Sequence, residues 1–226
     1  MKASLIRIYK KLLSTYGYQG WWPIVSMAKR DGFDSRGYHP KLYGYPETEQ
    51  QRLEITLGAI LTQNTAWKNV ELCLLNIINQ GLLDREKLLK LPLARLAEII
   101  KSSGYYNQKA KKVRAFLSFR GKPTRENLLK IWGLGDETVD SILLYAHHKP
   151  YFVVDAYTKR ILKRLGLLGA SASYSKVQEL FHKELPRRHE LYNEFHALLV
   201  EHAKRYCRKK PLCRNCHLSE MCKQAF

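Results

Sequence analysis

The stretch that decides the fold is residues 128–155, which read LLKIWGLGDETVDSILLYAHHKPYFVVD. Apolar residues recur at helical spacing on both sides of Gly133, Leu134 and Gly135, so the stretch predicts two helices joined by a tight glycine turn. Glycine permits a positive φ and a close approach of a partner, and the amides that open the second helix favour a phosphate. Asp155 then follows an apolar run. The stretch therefore combines a predicted phosphate-binding turn with a candidate catalytic carboxylate.

Each of these features also has a purely structural explanation. Glycine commonly caps helices in hairpins that bind nothing. Asp155 stands just before a predicted helix, where aspartate is a favourable N-cap. Asp136 places a negative charge beside the predicted phosphate, and capping of the second helix is its alternative role. The turn and the acid are therefore hypotheses that the rest of the chain must support.

The charge of the whole chain supports a nucleic-acid partner. Among 226 residues, Lys and Arg number 39 against 20 Asp and Glu, a formal net charge of +19. Such an excess favours a polyanion, because each phosphate that is neutralised releases condensed counterions. No stretch has the ~20 apolar residues that span a bilayer, and the N-terminus lacks the apolar run of a secretory signal. We therefore expect a cytoplasmic protein that associates with the nucleoid when it binds DNA.

Helical periodicity dominates the chain, of which 45% is hydrophobic. Apolar residues recur at helical intervals after Leu53, Val139, Thr158 and Leu191, and convincing strand patterns are absent. The fold class is therefore predicted to be all-α, with roughly ten helices. Residues 24–50 are rich in Gly, Pro and Tyr and are predicted to form an ordered surface loop.

Four of the five cysteines lie close together, at Cys207, Cys213, Cys216 and Cys222. In a cytoplasmic protein such a group favours metal ligation over disulfides. Four thiolates satisfy either a [4Fe–4S] cluster or a tetrahedral zinc ion, although zinc usually takes two short-spaced pairs at a longer separation. Cys73 stands apart in an apolar segment and is predicted to be a small buried residue.

As a set, these motifs resemble the helix-hairpin-helix–Gly/Pro/Asp superfamily of DNA base-excision glycosylases, which includes endonuclease III. The glycine turn and the Val-Val-Asp that ends at Asp155 carry the resemblance, and residues 195–207 are similar to the iron–sulfur end of endonuclease III. Residues 60–65 and 103–111 look more like the 3-methyladenine DNA glycosylase III branch, with its endonuclease III-like methylpurine DNA glycosylases. The matches together span about residues 53–222.

The resemblance implies a fold and a domain division. The implied fold is the two-domain, all-α helix-hairpin-helix DNA glycosylase fold with a C-terminal [4Fe–4S] cluster loop. Residues 1–52 plus 155–226 are expected to form a discontinuous helical domain that carries this loop. Residues 53–154 are expected to form a helical barrel domain that contains the hairpin.

The resemblance also implies a [4Fe–4S] cluster on the four clustered cysteines. The spacing from Cys207 to Cys213 is one residue shorter than the corresponding spacing in endonuclease III. The cluster is expected to brace a basic loop. The residues of this loop that are expected to meet DNA phosphates are Arg208, Lys209, Lys210 and Arg214.

Residue by residue, the resemblance implies a site. Asp155 matches the catalytic aspartate, whose carboxylate stabilises positive charge on the sugar as the N-glycosidic bond breaks. The hairpin at Gly133, Leu134 and Gly135 matches the phosphate-binding turn, and Gln63 matches the residue that fills the gap left by a flipped nucleotide. A surface position is the alternative for Gln63, and a core position is the alternative for the tryptophans. The expected base pocket comprises Trp21, Trp22, Pro23, Trp67, Glu137 and Lys204.

One departure from endonuclease III bears on the reaction. Glu137 stands where that enzyme has the lysine that forms a Schiff base, and it matches an acid of the methylpurine branch. Without this amine the route to strand cleavage through an imine is lost. Lys159, near Asp155 in sequence, is the candidate for a relocated lysine.

The sequence therefore predicts a monofunctional DNA N-glycosylase that excises alkylated purines, such as 3-methyladenine and 7-methylguanine. Its expected partner is double-stranded DNA with a damaged base, and it is expected to act as a monomer. Three alternatives stay open. They are a uracil or thymine mismatch glycosylase, a bifunctional glycosylase/AP lyase, and a DNA-binding or iron–sulfur sensor protein without enzymatic activity.

Overall fold

The computed structural model describes residues 4–169 and 171–224, and its regular structure in these residues is helical, without strands. This confirms the all-α fold class. The α-helices of this part of the chain are α1 (Leu5–Tyr16), α2 (Glu49–Leu61), α3 (Trp67–Asn79), α4 (Arg85–Lys90), α5 (Leu93–Ile99), α6 (Tyr106–Ser118), α7 (Arg125–Leu129), α8 (Asp136–Ser141), α9 (Ala156–Arg164), α10 (Tyr174–Glu184) and α11 (His189–Arg205). A π-helical segment, Ile142–Ala146, continues α8. None of the helices described is long and apolar enough to cross a membrane.

The chain divides into two compact units, and their boundaries lie elsewhere than predicted. One unit combines residues 1–21 with 149–226, and the other is continuous over 22–148. Residues 22–52, which the sequence assigned to the discontinuous domain, therefore belong to the continuous unit. The segment is bound there by specific contacts, such as the 2.8 Å ion pair between Arg36 and Glu71 of α3.

The continuous unit is built around α2. Thr48 and Gln51 form a capping box, which satisfies orphan amides at the start of this helix. The periodicity predicts one apolar face on α2, but every residue from Leu53 to Leu61 is buried. The helix is therefore central to its unit, because α3, α6 and the π-helical segment surround it.

The discontinuous unit packs α1 and α9 against α11. Leu5, Ile8 and Leu12 bury one face of α1, which makes this helix amphipathic. The aromatic side chains of Phe152 and Phe195 lie in the core of the same unit. The chain re-enters this unit at residue 149, and its long helix α11 is the one against which α1 and α9 pack.

Residues 24–50 contain only a short 3-10 helix before α2 begins, in agreement with the predicted loop. The loop is ordered by its own side chains. Phe33, His39 and Tyr45 pack their rings together, and burial lowers the pKa of His39. The loop therefore has a small aromatic core.

Candidate active site

The glycine turn between α7 and α8 has two glycines with different roles. Gly133 adopts φ +84°, the left-handed region that glycine tolerates, and Leu134 is 6% exposed and anchors the turn in the core. Gly135 is extended at φ −97° and is the N-cap of α8. The expectation of a positive φ therefore holds for Gly133 and is wrong for Gly135. A Cβ atom on Gly135 would meet nothing within 4 Å, so the start of α8 is open to a partner.

The negative charge of Asp136 is balanced within the turn region. Asp136 occupies the first turn of α8 and does not cap the helix, because Gly135 is the N-cap. Arg125 forms ion pairs with Asp136 and with the fully buried Asp140, the latter at 2.8 Å. These carboxylates raise the pKa of Arg125. The pairing reduces the repulsion that Asp136 would exert on a phosphate at the turn.

Gln63 is bound to the same turn. Its Nε2 donates to the carbonyl of Gly133 at 3.2 Å and to Oγ1 of Thr138 at 3.0 Å. Its Oε1 accepts a hydrogen bond from the ammonium of Lys112. Gln63 is therefore held beside the hairpin, rather than standing as an isolated polar residue on the surface.

A buried lysine fixes the helix end that precedes Gln63. The ammonium of Lys109 donates to the carbonyls of Leu61 at 2.7 Å and Ser103 at 2.6 Å, and the residue is 2% exposed. Burial lowers the pKa of Lys109 to about 8. The interaction joins the end of α2 to the segment before α6, so it positions the backbone that carries Gln63.

Asp155 lies in the discontinuous unit and begins α9. One carboxylate oxygen accepts from the backbone N–H of Thr158 at 2.7 Å, and the other lies 3.7 Å from Nε2 of His196. The side chains of Asp155 and His196 are 13% and 5% exposed. Burial by itself raises the pKa of Asp155, but His196 and the N–H of Thr158 outweigh it and hold the pKa below its ordinary value. Asp155 is therefore an N-cap and also a buried, ionised carboxylate.

Two more predicted residues join Asp155 in this unit. The indole of Trp21 meets the ring of His196 edge-on at 5.7 Å, and the ammonium of Lys204 lies 5.8 Å from the centre of the same indole. Asn193 donates to the carbonyl of Trp21 at 2.7 Å and so fixes its backbone. We call Trp21, Asp155, His196 and Lys204 the acid cluster. It combines a carboxylate, an aromatic surface and a cation, groups that suit the binding and cleavage of a nucleoside.

The remaining predicted pocket residues lie in the continuous unit. Trp22 is 7% exposed and packs against Trp67 at 5.5 Å and Tyr145 at 5.1 Å, while Pro23 is also buried. Trp67 begins α3 and is half-buried, and in the described residues its buried Nε1 has no hydrogen-bond partner. Glu137 is exposed in the first turn of α8. Trp22 is therefore a core residue, and Trp67 keeps both exposed surface and an unused donor.

The four clustered cysteines line one cavity of about 120 Å³. They form no disulfide. In the part of the chain that the structure describes, no three His, Cys, Asp or Glu side chains are grouped as ligands of one metal ion. A single zinc ion needs every sulfur about 2.3 Å from one point, whereas a [4Fe–4S] cluster fills a volume between its thiolates. The donor set and the cavity therefore fit a cluster better than a single ion.

Two arginines of α9 hold the loop that carries these cysteines. Arg160 donates to the carbonyl of Cys207 at 2.7 Å, and Arg164 donates to Sγ of Cys207 at 3.2 Å and to the carbonyl of Arg208 at 2.7 Å. The predicted phosphate contacts on this loop are all exposed; they are Arg208, Lys209, Lys210 and Arg214. The structure thus presents a basic surface on a loop that is anchored from within its own unit.

Several residues of the site were missed in the sequence. His196 is the clearest, and a signal for it exists: it is a polar residue within an otherwise apolar stretch of α11. Lys112 and Thr138 had no comparable signal, because they reach Gln63 only through the fold.

Comparison with known proteins identifies relatives over most of the chain. Residues 57–187 match the family described as HhH-GPD superfamily base excision DNA repair protein. The protein MJ1434 of Methanocaldococcus jannaschii is 42% identical over 96% of this chain and 95% of its own length. Its name describes a DNA repair glycosylase whose activity is not established.

Two solved structures have a similar fold. The H. pylori 3-methyladenine DNA glycosylase MagIII bound to 1,N6-ethenoadenine is 28% identical, with a TM-score of 0.69 over 89% of this chain and 98% of that chain. A trapped covalent intermediate of endonuclease III with DNA also has a TM-score of 0.69, with 21% identity over 77% of this chain and 84% of that chain. The second likeness is one of fold alone.

Proposed function

The chain belongs to the HhH-GPD superfamily of base excision DNA repair proteins, and from this premise we propose that it excises alkylated purines from double-stranded DNA without cutting the strand. Membership makes it a DNA glycosylase, an enzyme that hydrolyses N-glycosyl bonds. The observation that carries the proposal is the acid cluster, in which a buried, ionised Asp155 shares its surroundings with Trp21 and Lys204. The similarity to MagIII over 89% of the chain supports the choice of substrate.

Asp155 is proposed as the catalytic residue. Breaking an N-glycosidic bond leaves positive charge on the sugar, and a preorganised carboxylate stabilises that charge where water is excluded. A carboxylate whose pKa is held low remains ionised throughout the neutral range. Because its pKa is low, Asp155 is also a weak base. Its proposed contributions are therefore to stabilise the positive charge on the sugar and to orient the attacking water.

His196 is proposed to position this carboxylate. The N–H of Thr158 fixes one oxygen of Asp155, and Nε2 of His196 lies 3.7 Å from the other. The ring of His196 is in turn packed by Trp21 and Phe152. The carboxylate is therefore held at two points, which limits the reorganisation needed during the reaction.

Alkylated purines suit a site of this composition. Alkylation at a ring nitrogen makes the base cationic and a good leaving group, so the enzyme needs aromatic surface more than a strong general acid. Stacking of a cation on an aromatic ring contributes up to about 2 kcal/mol when it is desolvated. Trp21, the half-buried indole of the acid cluster, is proposed to contact the base. Lys204 of the same cluster is proposed to border the base. The pocket roles of Trp67 and Glu137, which lie in the continuous unit, stay predictions.

We propose that DNA binds to two surfaces, one that offers backbone amides and one that offers basic side chains. The open start of α8 at Gly135 is proposed to bind one backbone phosphate through its amides. Gln63, held beside that turn, is proposed to occupy the space of the flipped nucleotide. Further phosphate contacts are proposed for the exposed Arg208, Lys209, Lys210 and Arg214.

The cysteine loop is proposed to hold a [4Fe–4S] cluster through Cys207, Cys213, Cys216 and Cys222. The cluster contributes structural cross-linking of the loop when it is bound. The residues of this chain that complete the arrangement are Arg160 and Arg164, which join the loop to α9. Purified protein should contain iron and acid-labile sulfide in equal amounts. Zinc in their place would contradict the assignment.

The substrate proposal is tested with a panel of duplexes that each contain one lesion. The panel includes 3-methyladenine, 7-methylguanine, uracil, a thymine mismatch and an oxidised pyrimidine, and the free base is quantified by chromatography. We expect release of the two methylated purines. Release of uracil or mismatched thymine without 7-methylguanine would assign the enzyme to another base.

The absence of strand cleavage is tested separately with borohydride, which traps an imine between an enzyme amine and DNA. Glu137 replaces the lysine expected of a lyase, so no adduct should form. Lys159, four residues after Asp155, is the candidate for a relocated lysine that forms the imine instead. A trapped adduct that disappears in Lys159→Gln would identify a relocated lysine and refute the monofunctional proposal.

A further inference from the structure

The continuous unit contains a large open cavity of about 1030 Å³ that the proposed function does not use. It lies at the N-terminal end of α2, where Gln50, Arg52 and Leu53 contribute to its wall. At about 1.5 Å per residue, α2 separates Arg52 from Leu61 by roughly 14 Å. Gln63 follows Leu61 and is hydrogen-bonded to the hairpin turn, so the cavity and the proposed phosphate-binding turn lie at opposite ends of this helix.

We call the buried and half-buried apolar lining of the cavity its floor, and the exposed and half-buried cations its rim. Its floor includes Leu53, Ile78, Leu83, Phe116 and Leu128. Its charged lining consists of four cations and two carboxylates: Arg52, Arg85, Lys87, Arg120, Glu49 and Asp84. Both carboxylates are already engaged, because Glu49 pairs with Arg52 at 2.8 Å and Asp84 caps α4 by accepting from the N–H of Lys87. The lining therefore has a net positive charge.

Arg85 is the least compensated of these cations. Its guanidinium donates to the backbone carbonyls of Phe116 and Phe119 and lies over the ring of Phe116 at 5.7 Å. Within the described residues it forms no ion pair, and its buried Nε has no hydrogen-bond partner. Burial lowers its pKa, and so does the neighbouring charge of Arg120, which itself pairs with Glu86. A partly desolvated cation of this kind attracts an anionic group.

We propose that this cavity binds an acidic peptide segment of a partner protein, with one large apolar side chain of the peptide on the floor and its carboxylates on the rim. Carboxylates match the planar donor pattern of arginine and pair with it in a bidentate manner. The volume lies just above what small-molecule sites occupy, about 300–1000 Å³, and the cations are distributed along the rim. Both features suit an extended chain better than a single phosphate.

Duplex DNA does not fit the same description. Its phosphates lie on the outside of a rigid, convex cylinder, which cannot carry an apolar group to the floor of a concave site. The hairpin, one of the surfaces proposed for DNA, lies at the other end of α2. A peptide in the cavity would therefore leave the hairpin accessible, and the enzyme would bind DNA and its partner together.

The test uses the full chain and a fluorescein-labelled probe in which aspartates flank one phenylalanine. Fluorescence anisotropy should show saturable binding that weakens with salt, and replacing the phenylalanine of the probe by serine should weaken it at least tenfold. A saturating amount of undamaged duplex DNA should leave binding within about twofold of its original strength. Failure to saturate, or displacement of the probe by DNA, would overturn the proposal.

Two matched variants locate the binding site. Arg120 and Arg95 are both exposed arginines that pair with a glutamate of the same unit, but only Arg120 lines the cavity. Arg120→Gln should weaken probe binding by about fivefold or more, whereas Arg95→Gln should change it by less than about twofold. Equal losses in both variants would show unspecific attraction and overturn the proposal. So would displacement of the probe by inorganic phosphate beyond the effect of chloride at equal ionic strength, since that result identifies a small-anion site.

Discussion

The hairpin turn and the acid cluster are built in opposite ways. The turn at Gly133–Gly135 offers backbone amides from adjacent residues, and the start of α8 is open. The acid cluster offers side chains that are distant in sequence, and its central carboxylate is 13% exposed. An open set of amides suits a phosphate that every nucleotide carries, whereas a buried carboxylate suits one reacting bond. From this difference we propose that the first region provides DNA affinity and the second the chemistry.

The largest effect that separates the two regions is expected from Asp155→Asn. The amide keeps an oxygen that can cap α9 but removes the charge that stabilises the sugar, so single-turnover base release should fall by about 10³-fold. The affinity for damaged duplex should remain within about threefold of the wild type. Equal losses of binding and release would show that Asp155 only supports the fold.

A tenfold effect of the opposite kind is expected at Gly135. Aspartate is a favourable N-cap, so Gly135→Asp should fold well, yet it places a carboxylate where the phosphate is proposed to bind. The affinity for DNA should fall by about tenfold, equally for damaged and undamaged duplexes.

Gly135→Asn is the matched control, because asparagine caps a helix equally well without the charge. Its affinity for DNA should fall by about threefold or less, as measured by anisotropy. If the aspartate and asparagine variants bind alike, the turn does not contact a phosphate.

A smaller effect, on the order of fivefold, is expected when His196 is replaced. His196→Phe removes the group that, with Thr158, favours the ionised form of Asp155, while burial continues to raise the pKa of the carboxyl. The pKa of Asp155 should therefore rise, and the acid limb of the pH–activity profile should move to higher pH. Activity near neutral pH should fall about fivefold, because the imidazole that favours the ionised form of Asp155 is lost.

His196→Gln keeps a donor near Asp155 and should restore most of the activity and the original acid limb. A loss of folding stability alone would not shift the acid limb in the phenylalanine variant and restore it in the glutamine variant. If the phenylalanine and glutamine variants have the same pH profile as the wild type, His196 does not position the carboxylate.

The last expected effect concerns folding and not DNA. Gly133→Ala forces a side chain into the left-handed region, and its Cβ would lie 2.6 Å from Cγ of Lys112. The free energy of unfolding should fall by about 1–2 kcal/mol. Denaturant titration measures this loss, and an unchanged midpoint would show that the turn adopts another conformation.

The contrast between the regions also explains what the sequence could predict. The helix–turn–helix around Leu134 follows from local periodicity and two glycines, and the all-α class follows from the same periodicity repeated along the chain. The role of Asp155 as an N-cap is equally local. The contact between Asp155 and His196 is not local in sequence, because it forms only when α9 and α11 pack together.

The unit boundary was harder to predict for a related reason. Trp21 and Trp22 are neighbours in sequence, yet Trp21 packs with His196 in one unit and Trp22 packs with Trp67 in the other. No local pattern distinguishes two adjacent tryptophans. Their opposite assignments depend on long-range packing, which hydrophobic periodicity does not contain.

The central claim is tested most directly by one reaction of excess wild-type enzyme with a duplex that contains a single 7-methylguanine. Free base and strand length are measured in the same sample. We expect stoichiometric release of 7-methylguanine and a strand that stays intact until it is treated with alkali. No free base, or a strand already cut before alkali, would contradict it.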